Sequence, residues 1–264
     1  IKKATIADHG TDTGWASTYG DGQAIFTGWQ IYTDYYSFNG AVRNSNWQTG
    51  AVNQYGFSVG NTRLDNGVGV GGDNLTFQYI DFHGGGRDTG AGDDVIYGLT
   101  GNSNITFQYS ALHDSDRTIF LMRGNWQNLT VDHSYLARNA SSPAIHGEIL
   151  STTDSTNVTF SYNVIEDPEG TAVWAFINGG VATNWKIYGN SIFHSTSYAR
   201  EGISGVLFCA NDTSNNNTCN NFSIYNNTIW GIQGLWSGFI IQAGTGPDVQ
   251  NNIWYNSART NNSF

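Results

Sequence analysis

Apolar and polar residues alternate with a period of two in six separate segments of the chain. In each segment the second and fourth residues are apolar and the third and fifth are mostly polar, as in Leu75-Thr76-Phe77-Gln78. This alternation is typical of a β-strand that buries one face and leaves the other in water. The segments are NLTFQYIDF from 74, NITFQYSAL from 104, NLTVDHSYL from 128, NVTFSYNVI from 157, NWKIYGNSI from 184 and NFSIYNNTI from 221.

These segments recur at intervals that fit one coil of a solenoid, since successive starts differ by 30, 24, 29, 27 and 37 residues. A further apolar residue closes each segment: Phe82, Leu112, Leu136, Ile165, Ile192 or Ile229. A polar loop and a second short strand follow. One such unit cannot bury its apolar face alone, so like strands must stack on each other. The second strands are VIYGL (95–99), IFLMR (119–123), IHGEI (145–149), VWAFI (173–177), VLFCA (206–210) and FIIQA (239–243).

Stacked short strands without amphipathic helices between them predict an all-β, single-domain right-handed parallel β-helix. We expect irregular N-terminal coils or a cap at 1–60, regular coils at 61–255 and a tail at 256–264. The leading asparagines are expected to form a ladder of side-chain amide hydrogen bonds at one turn. They are Asn74, Asn104, Asn128, Asn157, Asn184 and Asn221, and a second, shorter ladder is expected at Asn163, Asn190 and Asn227.

The recurring unit N-x-T-[FIV]-x-x-N-x-[IF] resembles the pectate-lyase-like superfamily of right-handed parallel β-helices. The stretch DDVIYGLTGNSNITFQYSAL (93–112) is similar to one coil of the polysaccharide lyases in that superfamily, and the resemblance extends over residues 55–255. It implies the fold but does not select an activity, because the superfamily includes lyases, hydrolases, esterases, phage tailspikes and adhesins. A lyase of this kind would need calcium near Asp93, Asp94 and Asp116, and a basic residue on the groove.

The net charge argues against two classes of binding partner, nucleic acids and anionic membranes. The formal charge is −10 and the only lysines are Lys2, Lys3 and Lys186, so the chain has no basic surface for nucleic acid or an anionic membrane. No apolar run approaches the ~20 residues of a membrane span. The chain starts at Ile1 with neither an initiator Met nor a signal peptide, which we interpret as a processed segment.

The two cysteines, Cys209 and Cys219, flank a polar loop. We predict a disulfide between them, with two free thiols as the alternative. A disulfide favours an oxidising compartment, and therefore an extracellular, secreted or cell-surface protein.

The second strands can be aligned on the residues expected to face inward, among them Val95, Ile119 and Ile145. In this alignment the rows of the outward face are apolar, which a solvated face would not be. Either the alignment turns the strands inside out, or the outward face is covered by a loop, the N-terminal region, a ligand or another subunit. The first row is Ile96, Phe120, His146, Trp174, Leu207 and Ile240, and the next is Gly98, Met122, Glu148, Phe176, Cys209 and Gln242.

In the covered-face alternative, His146 and Glu148 lie together between Phe120, Trp174 and Phe176. Aromatic rings around a polar pair are typical of a saccharide subsite. The pair would transfer a proton or orient a substrate. The alternative is a buried pair whose hydrogen bonds satisfy each other.

Charged residues are concentrated in the loops that lead into these strands. The acidic residues of these loops have three possible roles. They would act as paired carboxylates in glycoside hydrolysis, bind calcium at Asp93, Asp94, Asp114 and Asp116, or only make Asx turns within the loops. Arg117 and Arg138 would neutralise a uronate carboxylate in a lyase, or form salt bridges with the loop acids.

We therefore expect an extracellular β-helix that binds a polysaccharide. If the protein is an enzyme, it would cleave that polysaccharide. As an enzyme, a lyase is favoured over a hydrolase: His146 would be its base and an arginine its neutralising group. A hydrolase would pair Glu148 with Glu166 or Asp116. The competing class is a non-catalytic structural, adhesin or filament subunit that self-associates through uncapped ends or the apolar outward face. The catalytic candidates are His146, Glu148, Arg117 and Arg138, and the substrate-binding candidates are Trp174, Phe176, Phe120, His113, Arg123 and Glu166.

Overall fold

The computed structural model describes residues 1–11, 13–16, 18–19, 22–65, 71–86, 92–139, 147–177, 179–195, 203, 205–211, 216–232 and 238–257. Within these ranges, regular structure consists of short β-strands and one 3₁₀ helix, Trp47–Thr49. Strands β1 to β10 are Ala24–Phe26, Trp29–Gln30, Ser37–Asn39, Phe57–Val59, Thr62–Arg63, Leu75–Gln78, Ile80–His83, Ile96–Gly98, Ser103–Gln108 and Ala111–His113. Strands β11 to β19 are Phe120–Met122, Trp126–Asp132, Tyr135–Ala137, Leu150–Thr152, Ser155–Thr156, Thr159–Ser161, Val164–Glu166, Trp174–Phe176 and Val181–Thr183. Strands β20 to β28 are Lys186–Tyr188, Ser191–Phe193, Leu207–Cys209, Thr218–Asn220, Ser223–Tyr225, Thr228–Trp230, Phe239–Ile241, Asp248–Gln250 and Ile253–Tyr255.

These strands form three sheets in which all pairs are parallel. The nine-strand sheet has the order β1-β4-β7-β10-β13-β17-β21-β25-β28, and the eight-strand sheet has the order β2-β5-β8-β11-β14-β18-β22-β26. The eleven-strand sheet follows β3-β6-β9-β12-β16-β20-β24-β27, and β15, β19 and β23 extend it beside the start of β12. The chain therefore visits the sheets in turn and advances by one coil each time. This is the predicted parallel β-helix.

The core is the space between the three sheets. The predicted apolar positions of the repeat, such as Leu75, Phe77 and Phe160, are fully buried. The closing residues of each segment, Phe82, Leu112, Leu136, Ile165, Ile192 and Ile229, stack in one inward row of the nine-strand sheet. The period-two pattern thus predicted correctly which face of the eleven-strand sheet is buried.

Two columns of polar turn residues join the coils along the axis. In the exposed column, each asparagine donates from Nδ2 to Oδ1 of the asparagine one coil earlier, from Asn104 to Asn74 at 2.8 Å and onward to Asn221. Its six members have φ of 54–58°, a left-handed conformation that asparagine tolerates.

The second column is buried in the turn before the nine-strand sheet. Asn190 accepts from the backbone N–H of Asn163 at 3.0 Å, and donates from Nδ2 to the carbonyl of Phe160 and to Oδ1 of Asn227. These bonds satisfy backbone groups that the turn leaves without a strand partner.

The second strands face the other way from the alignment made on sequence. Phe120 pairs with Leu150, not with His146, and Leu150 pairs with Trp174. Phe120, Trp174 and Phe176 are fully buried in the core, so the prediction that they bind substrate on an outward face is wrong. The alternative that the strands were aligned inside out is correct.

A segment near the N-terminus covers part of the nine-strand sheet. Trp47 and Tyr55 pack on Ala111, Tyr135 and Ala137, which belong to β10 and β13. The covered face is therefore not the second-strand face that the sequence alignment considered.

Cys209 and Cys219 form the predicted disulfide, which joins β22 to β23. No helix in the described residues is long and apolar enough to cross a membrane.

The buried column should contribute more to stability than the exposed one. Asn190→Ala removes two donated bonds and leaves the Asn163 N–H buried without its acceptor, so we expect a loss of about 3 kcal/mol in the free energy of unfolding. The control Asn184→Gly keeps the left-handed turn and breaks only exposed bonds, so its loss should stay below about 0.5 kcal/mol. Urea unfolding measures both, and equal losses would contradict a special role of the buried column.

Candidate functional site: a charged network and an aromatic strip

The charged network runs across four strands of the nine-strand sheet and begins at a histidine. His113 ends β10 and contacts two carboxylates, Asp81 through Nε2 at 2.7 Å and Asp114 through Nδ1 at 2.6 Å. Burial acts to lower the pKa of His113, but its hydrogen bonds to Asp114 and Asp81 outweigh burial and raise that pKa above the ordinary value. The two carboxylates therefore favour the protonated imidazole.

Arg138 extends the network from Asp114 to the next coil. Its Nε and Nη2 donate to the two oxygens of Asp114 at 2.5 and 2.9 Å, and its Nη1 donates to the hydroxyl of Tyr135 at 2.7 Å. Tyr135 in turn donates to Glu166 at 2.6 Å. Burial acts to raise the pKa of Asp114, but hydrogen bonds from His113 and Arg138 hold it well below the usual range.

The network brings together four of the predicted site residues: His113, Asp114, Arg138 and Glu166. Cations and carboxylates alternate along it, so opposite charges compensate each other inside the protein. Arg138 thus forms the salt bridge that the sequence offered as the alternative to binding a uronate.

A second charged group lies in the turn before the eight-strand sheet. Arg117 donates from Nε to Asp94 at 2.9 Å and also contacts this carboxylate through Nη2, and the Thr118 hydroxyl donates to the same carboxylate. In the next coil, the Glu148 carbonyl accepts from the N–H of Ile119 at 3.1 Å. Arg117 and Glu148 are therefore neighbours, in a group distinct from Arg138.

Glu148 is buried, with 3% of its surface exposed. Burial raises the pKa of its carboxyl group to about 7, against opposing hydrogen bonds from Thr171 and the charge of Arg117. A carboxyl group with this pKa is partly protonated at neutral pH, which suits acid or base chemistry but also fits a protonated, structural glutamic acid.

The four predicted metal ligands do not converge. Asp114 and Asp94 are held by the arginines, whereas Asp93 accepts from Asn61, Gly85 and the backbone N–H of Asp116. Within the described residues, no three His, Cys, Asp or Glu side chains are grouped so that they could hold a metal ion. Asp93 therefore accepts hydrogen bonds from loop backbone, which agrees with the alternative that these acids shape the loops instead of binding a metal.

Two further candidates were not placed at either group. His146 lies outside the described residues. Arg123, a substrate-binding candidate, follows the end of β11, whereas Glu148 aligns with Thr118 ahead of the start of that strand. The two residues therefore lie beyond opposite ends of the strand.

A strip of aromatic rings runs along the solenoid between the eleven-strand and nine-strand sheets. Each of six consecutive coils contributes one ring, and neighbouring ring centroids are 5.0 to 5.6 Å apart. Tyr162 is 50% exposed and the other rings are half-buried. The members of this aromatic strip are Tyr79, Tyr109, His133, Tyr162, Tyr188 and Tyr225.

The first four residues of the strip have an unfavourable backbone conformation. Tyr79, Tyr109, His133 and Tyr162 have φ of 46–59°, a region that bulky side chains rarely adopt. In the following coils Gly189 and Asn226 occupy this turn position, and the ring moves back one residue to the end of the strand. An aromatic side chain is thus present in each of these coils although the turn itself prefers glycine or asparagine.

This strip was not predicted from the sequence. Its signal was the sixth residue of the repeat, which is Tyr, Tyr, His and Tyr in the first four segments. The period-two alternation was considered only for the second to fifth residues of each segment, so the aromatic character of the sixth residue was not used.

Polar side chains flank the strip on the eleven-strand sheet. The Gln78 amide donates to Gln108 at 3.0 Å, and Ser161 donates to Asp132 at 2.5 Å. Beside the exposed asparagine column, a shallow groove of about 420 Å³ runs over Thr159, Lys186 and Ser223. The outer face of this sheet therefore offers amides and hydroxyls along several coils.

The fold and this surface define a parallel β-helix with aromatic and polar rows on its outside. Among solved structures, the chain is similar to the Dettilon tailspike protein, with 13% sequence identity and a TM-score of 0.39. The match covers 81% of this chain and 43% of the tailspike chain, so this chain spans less than half of that protein's length. No protein-family model matches the chain, and neither does any curated protein.

The raised pKa of Glu148 predicts a pH-dependent stability. The folded-state pKa of about 7 exceeds the ordinary 4.5. The fold therefore loses stability as pH rises from about 4.5 to 7, by about 3 kcal/mol in total, because the buried carboxylate must ionise.

Glu148→Gln should remove that loss, so the variant should gain about 2.5 kcal/mol relative to the parent protein between pH 5 and pH 8. Urea unfolding at the two pH values measures this, with the exposed Asp248→Asn as the control. A pH-independent difference would show that Glu148 ionises normally.

Proposed function

We propose that this protein binds a polysaccharide along the aromatic strip, with the glycan crossing successive coils. The observation that carries this proposal is one aromatic ring in each of six consecutive coils, four of them on strained left-handed backbone. Strained residues persist where the surrounding structure or the function demands them. Adjacent coils are about 4.8 Å apart, a spacing comparable with the length of a sugar ring.

The chemistry of the strip suits a sugar. Aromatic side chains provide apolar area for the C–H faces of a pyranose, and their hydroxyls remain available for hydrogen bonds. The amides of Gln78 and Gln108 and the hydroxyl of Ser161 lie in the adjacent strands and match sugar hydroxyls. The formal charge of −10 opposes a strongly anionic glycan, so we propose a neutral polysaccharide.

Binding without cleavage is the form of this proposal that the charged groups support. Glu148 has a pKa suited to acid or base chemistry, but it is buried. Arg117 and Arg138 are each bound to a carboxylate on two nitrogens. Neutralising a substrate carboxylate would require breaking these pairs.

We also propose that the protein works outside the cytoplasm, on the outside of a cell or secreted. The disulfide between Cys209 and Cys219 supports this, because such bonds persist in oxidising compartments.

The strip predicts which substitutions weaken glycan binding. Tyr162→Ala and Tyr188→Ala should each lower the affinity for a neutral polysaccharide about fivefold, because each ring contributes on the order of 1 kcal/mol. Affinity electrophoresis against a panel of neutral and acidic polysaccharides measures this. Tyr255→Ala is the matched control, since this exposed tyrosine lies on the nine-strand sheet away from the strip.

Unchanged affinity of both strip variants would contradict the proposal, as would a parent protein that binds no polysaccharide in the panel. Reducing ends or unsaturated products in the same mixtures would show that the protein cleaves its ligand.

A second candidate function is a structural subunit of a larger assembly. In the last described coil, Val249 and Trp254 occupy the positions of the buried Ile224 and Ile229, yet 48% and 39% of their surfaces are exposed. Apolar side chains at the edge of parallel strands favour pairing with further strands.

This second candidate predicts self-association. Light scattering during size-exclusion chromatography should show a molar mass that rises with protein concentration, and Val249→Ser combined with Trp254→Ser should reduce that rise. A constant monomer mass at all concentrations would exclude assembly through this coil.

A further inference from the structure

One coil of the aromatic strip differs from its neighbours at two adjacent positions. The fifth and sixth residues of the repeat are Gln-Tyr in the first two segments and Ser-Tyr in the fourth, but they are Asp132-His133 in the third. Asp132 keeps the register of its row, since it pairs with Gln108 and Ser161. A histidine offers less apolar area to a sugar ring than a tyrosine does, so this joint exchange indicates a chemical role besides stacking.

Asp132 fixes the imidazole of His133 in one tautomer. Nδ1 of His133 lies 2.8 Å from Oδ2 of Asp132, and because a carboxylate only accepts hydrogen bonds, Nδ1 carries the proton of the neutral imidazole. Ser161 donates to the other carboxylate oxygen at 2.5 Å and holds it in place. The basic nitrogen is therefore Nε2, which is neither hydrogen-bonded nor buried in the described part of the chain. The His133 side chain is 41% exposed.

A guanidinium lies beside the same residue. Nη1 of Arg43 donates to the backbone carbonyl of His133 at 2.9 Å, which uses one of the five N–H donors of the group. The guanidinium carbon is 4.8 Å from the ring centroid of Tyr109, the strip member one coil earlier, and 4.4 Å from that of Trp47. These contacts fix a cation next to the coil that carries the base.

We propose that this site removes acyl esters, such as O-acetyl groups, from the polysaccharide bound along the strip, an inference that rests on the proposed binding function. Nε2 of His133 takes a proton from a water molecule, whose oxygen adds to the acyl carbon. Arg43 stabilises the negative charge that develops on the acyl oxygen. The bond from the acyl carbon to the sugar oxygen then breaks, and the imidazolium gives its proton to that oxygen. The products are acetic acid and a free sugar hydroxyl.

An ester fits this set of groups better than a glycosidic bond does. Ester hydrolysis needs a base, a water molecule and a group that stabilises an oxyanion, whereas hydrolysis of a glycosidic bond needs a pair of carboxyl groups. The carboxylate of Asp132 already accepts from His133 and Ser161, and its role is to orient the imidazole and stabilise its protonated form.

The test measures the acetate that the full chain releases from O-acetylated glucomannan and from p-nitrophenyl acetate. We expect hydrolysis of both esters at least tenfold faster than by free imidazole at the same molar concentration, because the base and the cation are held in position. A rate no higher than that of free imidazole on both esters would overturn the proposal. A higher rate with p-nitrophenyl acetate alone would overturn the glycan ester as the substrate.

Variants assign the reaction to this coil. His133→Tyr introduces the residue type of the neighbouring coils, so the rate should fall at least tenfold, while glycan affinity should fall less than in Tyr162→Ala because a ring is retained. Asp132→Asn should also lower the rate at least tenfold, since it removes the charge that stabilises the imidazolium. His9→Asn is the matched control, because His9 stacks on Trp15 in the N-terminal segment and is not part of the strip.

Unchanged acetate release by His133→Tyr would overturn the assignment of the base. Affinity electrophoresis of the same proteins separates the two proposals. Polysaccharide binding without acetate release would contradict this inference alone, whereas absence of binding would contradict the proposed function.

Discussion

Parallel pairing in exact register between consecutive coils is the constraint on which the rest of this structure depends. A single coil buries almost nothing, so the core exists only because like positions stack, as Phe82, Leu112 and Leu136 do. Register also applies to the turns, where asparagine amides bond from coil to coil. A residue type that suits one position of the coil is therefore repeated along the axis, and any outward chemistry takes the form of a row.

The first strand of each coil could be predicted from sequence, because one of its faces is buried and the other is wet. The second strand could not be oriented in this way. Segments such as VWAFI and VLFCA are apolar at every position, and alternation cannot distinguish the inside of such a run from the outside. The coil that contains residues 145–149 was then placed four residues out of register, and the supposed aromatic floor at Trp174 belongs to the core.

The candidate site was predictable to the extent that it depends on topology. His113, Arg138 and Glu166 were grouped on sequence because they lie in the charged loops that lead into the second strands of consecutive coils, and the structure brings them into one network. The sequence could not show that Asp114 would take both nitrogens of Arg138, because bidentate pairing depends on side-chain geometry in the turn. The aromatic strip was missed for another reason: its members are spread over the whole chain and become a surface only when the coils are stacked.

The strip passes from a turn residue, Tyr162, to a strand residue, Tyr188, in the next coil. This shift in position has a consequence for how such a protein can evolve. Neighbouring rings keep contact at 5.3 Å across that step, so the row does not require the same position in each coil. A duplicated or deleted coil would lengthen or shorten the row without breaking it. In a solenoid built in this way, the length of the row on the outer surface is set by the number of coils that the gene encodes.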